Sequence, residues 1–124
     1  MKFIPTRVHG LLDYAVAALF IALPFLFDFD RNGAESWIFI SLGIATIVYS
    51  LLTDYELGLI KTISMQAHLL LDLLNGIFLA ASPWIFNFHE KVYLPHLLLG
   101  LTELLVVVFS QRIPYKSVTG RRKH

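Results

Sequence analysis

The stretch that decides the fold is HLLLDLL at residues 68–74, a leucine-rich segment interrupted by one imidazole and one carboxylate. Side chains four residues apart lie on the same face of a helix. An aspartate costs roughly 2.5–3.5 kcal/mol at the centre of a membrane helix, and such residues face a bundle interior or a water-filled cavity. The stretch therefore predicts a membrane helix that turns His68 and Asp72 away from lipid.

The composition around this stretch is that of a membrane protein. The 124 residues are 56% hydrophobic with a mean hydropathy of +0.67, above the roughly 45–50% apolar residues usual in soluble domains. Four apolar stretches have about the length that crosses a bilayer as a helix. We therefore expect one all-α domain over residues 1–124, with four transmembrane helices at 8–27, 36–52, 67–86 and 92–109.

Charge and cysteine content narrow the function classes. The chain has no cysteine, which excludes disulfides, thiolate metal sites and cysteine nucleophiles. A net charge of +1 gives no reason to expect nucleic acid as a partner. With four crossings, eight of the ten Lys and Arg residues share the side of both termini, so we expect both termini in the cytoplasm. The basic tail at 113–124 also predicts contact with anionic lipids.

The chain is a duplicated hairpin. Residues 2–29 align without a gap on residues 61–88, with ten identities over 28 positions. His9 matches His68 and Asp13 matches Asp72, at an offset of 59 residues.

Each unit of the duplication holds an even number of helices. The two copies, at about 2–54 and 61–112, therefore enter the membrane from the same side and form parallel repeats. Past the outer loops the offset falls to 57, which pairs Gly43 with Gly100. Glycine lets a neighbouring helix approach closely, so we expect helix contacts at both positions, either within the chain or between chains.

The sequence ASPW at 81–84, in a helix with His68 and Asp72 one turn apart, resembles the SPW repeat family of small bacterial and archaeal integral membrane proteins. The first copy departs from the pattern, with LPF at 23–25. The resemblance implies a multi-pass protein of two repeats in the bacterial cytoplasmic (inner) membrane. It implies no biochemical activity.

The motif itself predicts a shaped helix end. Pro24 and Pro83 each remove a backbone N–H and can kink a helix or end it early. In the second copy the Ser82 hydroxyl can bond a carbonyl freed by the proline, and Trp84 can anchor the helix at the headgroups.

The ionisable residues predict a polar cluster in the cytoplasmic half of the bundle. Each histidine can be held by the aspartate one turn along its own helix. Helix four contributes a carboxylate at a similar depth, about 10 Å from its end. The expected cluster comprises His9, Asp13, His68, Asp72, Glu103 and Thr46, with Thr102 and Tyr49 beside them.

Three functions compete for this cluster. We favour a satisfied polar network that fixes helix packing or assembly, with no enzymatic activity and no cofactor. The alternative is a proton or cation path, which needs an oligomer to line it. The third is a cofactor site, with a haem iron between His9 and His68 or a divalent metal held by these histidines with Asp13 and Asp72.

The loop between the repeats predicts one further element. Leu57, Ile60 and Ile63 recur at spacings of three, which indicates a short interfacial helix between Asp54 and Gln66.

Overall fold

The computed structural model describes residues 4–30 and 32–110, and it confirms the all-α prediction. The four helices begin and end within two residues of the predicted stretches. They are α1 (Thr6–Leu26), α2 (Ala34–Leu51), α3 (Met65–Ile85) and α4 (Leu94–Val108). The predicted basic tail at 113–124 lies outside the described residues.

Three helices, α1, α2 and α3, are long and apolar enough to cross a membrane. Helix α4 is a shorter apolar helix of 15 residues, which extends about 22 Å. The described part of the chain thus has four helices, three of which have the length and composition of a full membrane span.

The helices pack as two hairpins, one per repeat. Helix α1 packs against α2, and α3 against α4, while α2 also packs against α3. Glycines allow the close approach within each hairpin. A Cβ atom on Gly43 would lie 2.7 Å from the Ala17 carbonyl oxygen, and one on Gly100 would lie 2.6 Å from the Gly76 carbonyl oxygen. Both predicted glycine contacts are therefore made within the chain.

The duplication is visible in matched backbone contacts at one end of the molecule. We call this the near end, where α1 and α3 begin and α2 and α4 end. Ile4 forms a β-bridge with Ser110, and Thr53 forms the equivalent bridge with Ile63. The two bridges are related by the offsets of 59 and 57 residues that relate the repeats.

The opposite end, here called the far end, is closed by matched helix termini. Asp28 and Asn87, at equivalent positions, have positive φ angles of 57° and 60°, a conformation that Asp and Asn tolerate well. The next residue, Phe29 or Phe88, donates its N–H to the carbonyl of Pro24 or Pro83. This is the Schellman motif, which satisfies a free carbonyl at the end of a helix.

The prolines therefore lie in the last turn of α1 and α3, and each helix ends two residues later. Pro83 cannot donate to the Leu79 carbonyl, and Ser82 Oγ donates to that carbonyl instead at 2.7 Å. Trp84 is half exposed and stacks on His89.

The far half of the molecule contains an apolar core between the hairpins. Its buried side chains are Phe20, Leu23, Ile38, Phe39, Leu79 and Phe88. His9, Asp13, His68 and Asp72 lie outside this core, near the starts of α1 and α3.

The predicted interfacial helix between Asp54 and Gln66 is wrong, since this loop has turns and bends instead. Its N–H groups donate to the last carbonyls at the end of α2. Leu59 and Ile60 donate to the Leu51 carbonyl, and Thr62 and Ile63 donate to the Leu52 carbonyl. The last carbonyls of a helix have no partner within it. The loop N–H groups bond these carbonyls of α2, so they are not available for hydrogen bonds within a helix of the loop itself.

Candidate functional site

The centre of the site is a crossed pair of hydrogen bonds between the repeats. His9 Nε2, from α1, lies 2.6 Å from Asp72 Oδ2 of α3. His68 Nε2, from α3, lies 2.7 Å from Asp13 Oδ2 of α1. All four side chains are buried, and the imidazole ring centroids are 5.5 Å apart. The two repeats thus exchange equivalent bonds in the near half of the molecule.

The expected pairing within each helix is the longer contact. His9 lies 3.3 Å from Asp13, and His68 lies 3.3 Å from Asp72. Position i+4 brings the carboxylate beside the imidazole, but the facing helix offers the better distance. The structure corrects the sequence interpretation on this point, because the shorter bonds join two helices.

A hydroxyl group holds the other nitrogen of each imidazole. His9 Nδ1 lies 2.7 Å from Ser110 Oγ, and His68 Nδ1 lies 2.8 Å from Thr53 Oγ1. Each hydroxyl donates its hydrogen to the carbonyl four residues earlier, at 2.6 Å, so its oxygen accepts from Nδ1–H. One proton then remains to be shared between each Nε2 and its Asp oxygen. The four groups with these protons form a unit of no net charge.

The two repeats differ beside this unit. In the α2–α3 half, the Tyr49 hydroxyl donates to Asp72 Oδ1. Asn75 Nδ2 donates to the Tyr49 oxygen and to Thr46 Oγ1, both at 3.0 Å. These polar side chains fill the seam between α2 and α3.

The equivalent positions in the α1–α4 half are occupied by other residue types. By the repeat offsets, Val106 stands in the place of Tyr49, Val16 in that of Asn75, and Glu103 in that of Thr46. A cavity of about 30 Å³ lies there, enough for a water molecule. It is lined by His9, Leu12, Asp13, Val16, Asp72, Leu99, Thr102, Glu103 and Val106.

Glu103 is the unsatisfied member of the site. Its side chain is only 8% exposed, and its Oε1 atom is buried without a hydrogen-bond partner among residues 4–30 and 32–110. A buried polar atom in this state has lost its hydration without replacement. The Glu103 Oε1 atom beside this cavity therefore needs a hydrogen-bond donor or a cation that the described residues do not supply.

The structure brings together every residue of the predicted cluster, although Thr46 reaches it only through Tyr49 and Asn75. Thr102 lines the cavity and donates to the Leu98 carbonyl. Sequence reasoning missed Ser110 and Thr53. Their signal was present, because they are hydroxyl residues related by the offset of 57.

Tyr55 covers the near end of the site. Its ring packs on His68 with centroids 5.5 Å apart, and a Cβ atom on Gly10 would lie 2.5 Å from its Cε2 atom. Burial raises the pKa of the Tyr55 phenol. The loop between the repeats thus covers the cluster at the near end, where Tyr55 packs against Gly10 of α1.

A second link between the repeats lies at the far end. Lys91 Nζ lies 2.9 Å from Glu35 Oε2, and the carboxylate of Glu35 raises the pKa of the Lys91 ammonium. His96 Nε2 donates to the Glu35 carbonyl at 3.1 Å. The imidazole of His96 is fully buried among Phe29, Phe39 and Phe88.

The central cluster has the donor atoms for a metal ion but no room for a larger cofactor. One atom from each of His9, Asp13, His68 and Asp72 lies within 4.8 Å of the others. Pockets for larger ligands have volumes of roughly 300–1,000 Å³. A cavity of about 30 Å³ cannot admit a porphyrin between the two histidines, so the residues that the structure describes do not fit a haem.

Comparison with known proteins identifies a related family. The model of the SPW repeat domain matches residues 7–110, which covers all four helices. No curated protein and no solved structure matches the chain.

Proposed function

The chain belongs to the SPW repeat family, and on this premise we propose that it is a non-enzymatic membrane protein whose crossed His/Asp cluster joins the two repeats. The observation that supports this proposal most directly is that His9 and His68 each make their shorter bond to the aspartate of the other repeat. Between leucine-rich helices in lipid there is little hydrophobic drive to select one packing. Polar bonds at fixed positions supply that selection.

The cost of burying these groups supports a linking role. A buried carboxylate or imidazole is tolerated in a membrane helix when it is paired and turned inward. In the crossed arrangement each pair is satisfied only when both hairpins are in register, because the partners lie on different repeats. A slip of one residue or a rotation of one hairpin breaks both crossed bonds and leaves each imidazole with the longer contact within its own helix.

Removal of one carboxylate tests this role. We expect Asp72→Asn to lower the free energy of unfolding by about 1–2 kcal/mol, a value at the upper end for a membrane hydrogen bond. The measurement is thermal unfolding in detergent, with the exposed Asp30→Asn as the matched control. Equal stability of Asp72→Asn and Asp30→Asn would contradict a linking role.

A proton or cation path is the second candidate, favoured by the cavity and the unpartnered Glu103 oxygen. The apolar core around Phe20, Phe39 and Leu79 opposes it within one chain, because these side chains fill the far half of the described molecule. In proteoliposomes with a pH gradient, we expect proton flux to remain at background. A flux that Glu103→Gln abolishes would reverse the order of the two candidates.

We further propose four crossings, with both termini in the cytoplasm of a bacterial cell. The excess of Lys and Arg on the side of the near end supports this orientation. The chain has no cysteine, so single cysteines can be placed on a clean background. The Lys61→Cys variant should react with a membrane-impermeant maleimide only after cell lysis. The Lys91→Cys variant should already react in intact spheroplasts. The opposite pattern would show the opposite orientation in the membrane.

A further inference from the structure

We propose that His9, Asp13, His68 and Asp72 bind one divalent transition-metal ion of the zinc class. Each contributes one donor atom, the four atoms lie within 4.8 Å of one another, and all four side chains are buried. Two imidazole nitrogens and two carboxylate oxygens suit Zn²⁺ and similar ions better than Ca²⁺ or Mg²⁺, which prefer oxygen alone. The proposal uses the side chains of the proposed link but does not depend on how much they stabilise the protein.

The distances already approach those of a coordination shell. Ligands arranged as a tetrahedron about 2.0 Å from a metal are about 3.3 Å apart. The contacts within each helix, His9 to Asp13 and His68 to Asp72, measure 3.3 Å. The two contacts between helices, at 2.6 and 2.7 Å, need to lengthen by about 0.6 Å. Rotation of side chains provides a change of this size without moving a helix.

The hydroxyl contacts prepare both histidines as ligands. Metal-bound imidazoles almost always donate their other N–H to an oxygen, which fixes the tautomer and the ring orientation. Ser110 and Thr53 accept from His9 Nδ1 and His68 Nδ1 in this way. Both Nε2 lone pairs are thereby directed at the centre of the cluster. The same outer contact occurs twice, once in each repeat.

The replacement of two protons by one divalent ion leaves the net charge of the cluster unchanged, which permits metal binding inside a membrane. In the metal-free cluster two protons are shared between the imidazoles and the aspartates, and the unit has no net charge. A divalent ion that replaces these two protons leaves two neutral imidazoles and two carboxylates around a charge of +2. Metal binding releases protons in this manner at other sites. The bound state is again neutral, which keeps the cost of burial in lipid low.

The cavity and Glu103 complete the site. Three of the four proposed ligands, His9, Asp13 and Asp72, line the cavity together with Glu103. The cavity is large enough for one water molecule. A metal-bound water there gives the buried Glu103 Oε1 atom a donor that the described residues do not supply. On the side of Val106, the cavity thus leaves room for a small ligand on the metal. On the opposite side, the Tyr49 side chain fills the equivalent position.

The test is metal content and spectrum of the detergent-purified full chain. The protein carries a tag without histidine, is stripped with a chelator and is reloaded with Zn²⁺ at submicromolar free concentration. We expect one Zn²⁺ per chain by mass spectrometry, and a tetrahedral or five-coordinate absorption spectrum when Co²⁺ is used as the probe. His68→Ala and Asp13→Asn should retain no metal. His89→Ala and Asp30→Asn, outside the cluster, should retain it fully.

A second pair of variants keeps the test informative if ligand substitutions prevent folding. Thr53→Val and Ser110→Ala leave all four ligands in place and remove only the outer contact. We expect each to weaken Zn²⁺ affinity by roughly 10–100-fold and to shift the Co²⁺ spectrum. A wild-type chain that retains no Zn²⁺ or Co²⁺, or ligand variants that retain as much as the wild type, would overturn the proposal.

The result can be separated from the role of the cluster as a link. Unfolding of the metal-free protein, compared between the wild type and Asp72→Asn, reports the link alone. Destabilisation without Zn²⁺ uptake by the wild type removes the metal site and leaves the link. Zn²⁺ uptake without destabilisation of the metal-free variant leaves the metal site and removes the link.

Discussion

Both nitrogens of each central imidazole have a partner, and both partners come from the other repeat. His9 of the first repeat is held by Asp72 and Ser110 of the second. His68 of the second repeat is held by Asp13 and Thr53 of the first. An imidazole fixed at both nitrogens cannot rotate without losing a bond in a region where no water replaces it. The orientation of His9 and His68 is thus determined by the folded arrangement as a whole.

At Glu103 an ionisable residue in one half stands in the place of a hydroxyl residue in the other half. Its equivalent in the first repeat, Thr46, carries no charge and accepts from Asn75. Glu103 instead places a third buried carboxyl group beside Asp13 and Asp72. A residue retained at such a cost is a functional candidate in a membrane protein.

Replacement of Glu103 should therefore stabilise the metal-free protein. Glu103→Gln keeps the size of the side chain and removes a buried ionisable group whose Oε1 atom has no partner among the described residues, so we expect the free energy of unfolding to rise by about 1 kcal/mol. Thermal unfolding in detergent measures the change, with the exposed Glu90→Gln as the matched control. A lower melting temperature for Glu103→Gln than for Glu90→Gln would show that the carboxylate stabilises the fold.

At the scale of the helices, close approach depends on small residues at two equivalent crossings. Gly100 faces the backbone of Gly76 and Ala80, and Gly43 faces that of Ala17. The backbone blocks a side chain at both positions, so the hairpin must open to accept one.

Alanine at these crossings should loosen the corresponding hairpin. For Gly100→Ala we expect a loss of about 1–3 kcal/mol from overpacking, because its Cβ atom would lie 2.6 Å from backbone atoms. Gly43→Ala should behave alike. The control is Ala45→Val, which adds bulk at an exposed position of α2. Unfolding by increasing denaturing detergent provides the comparison, and a Gly100→Ala variant as stable as Ala45→Val would refute the close contact.

Most of the helices could be predicted because apolar length and the duplication both depend on local sequence. The loop between the repeats could not. Its spacing of Leu57, Ile60 and Ile63 fits a helix, but the free carbonyls of Leu51 and Leu52 compete for the same N–H groups. That competition depends on how the chain folds back over α2, which a pattern of apolar residues does not record.

At the scale of the whole molecule, contacts at different depths join the repeats in the part of the chain that the structure describes. The crossed His/Asp cluster and the Tyr49–Asp72 bond lie in the near half, an apolar core follows, and Glu35 meets Lys91 and His96 at the far end. Of the candidate site, the duplication predicted which polar residues share a depth. It could not predict that the shorter bonds cross between helices, because that choice depends on the rotation of each helix.

The asymmetry between the halves explains why a duplicated sequence does not give two equal sites. Tyr49 and Asn75 close one seam, and Val106 and Val16 leave the other seam with a cavity. An alignment of the repeats identifies these positions only once the structure shows that they line the same seam. Duplication therefore predicted the scaffold, while the cavity arose from the positions where the copies diverge.

The central claim is that the crossed bonds join the repeats, and a double-mutant cycle tests it most directly. His9→Ala and Asp72→Ala are measured alone and together, and the coupling in free energy of unfolding is compared with that of His9→Ala and Asp13→Ala. All measurements use metal-free protein in detergent. The crossed bond predicts a coupling of about 1–2 kcal/mol between His9 and Asp72, larger than the coupling between His9 and Asp13. Additive effects of His9→Ala and Asp72→Ala would contradict the account.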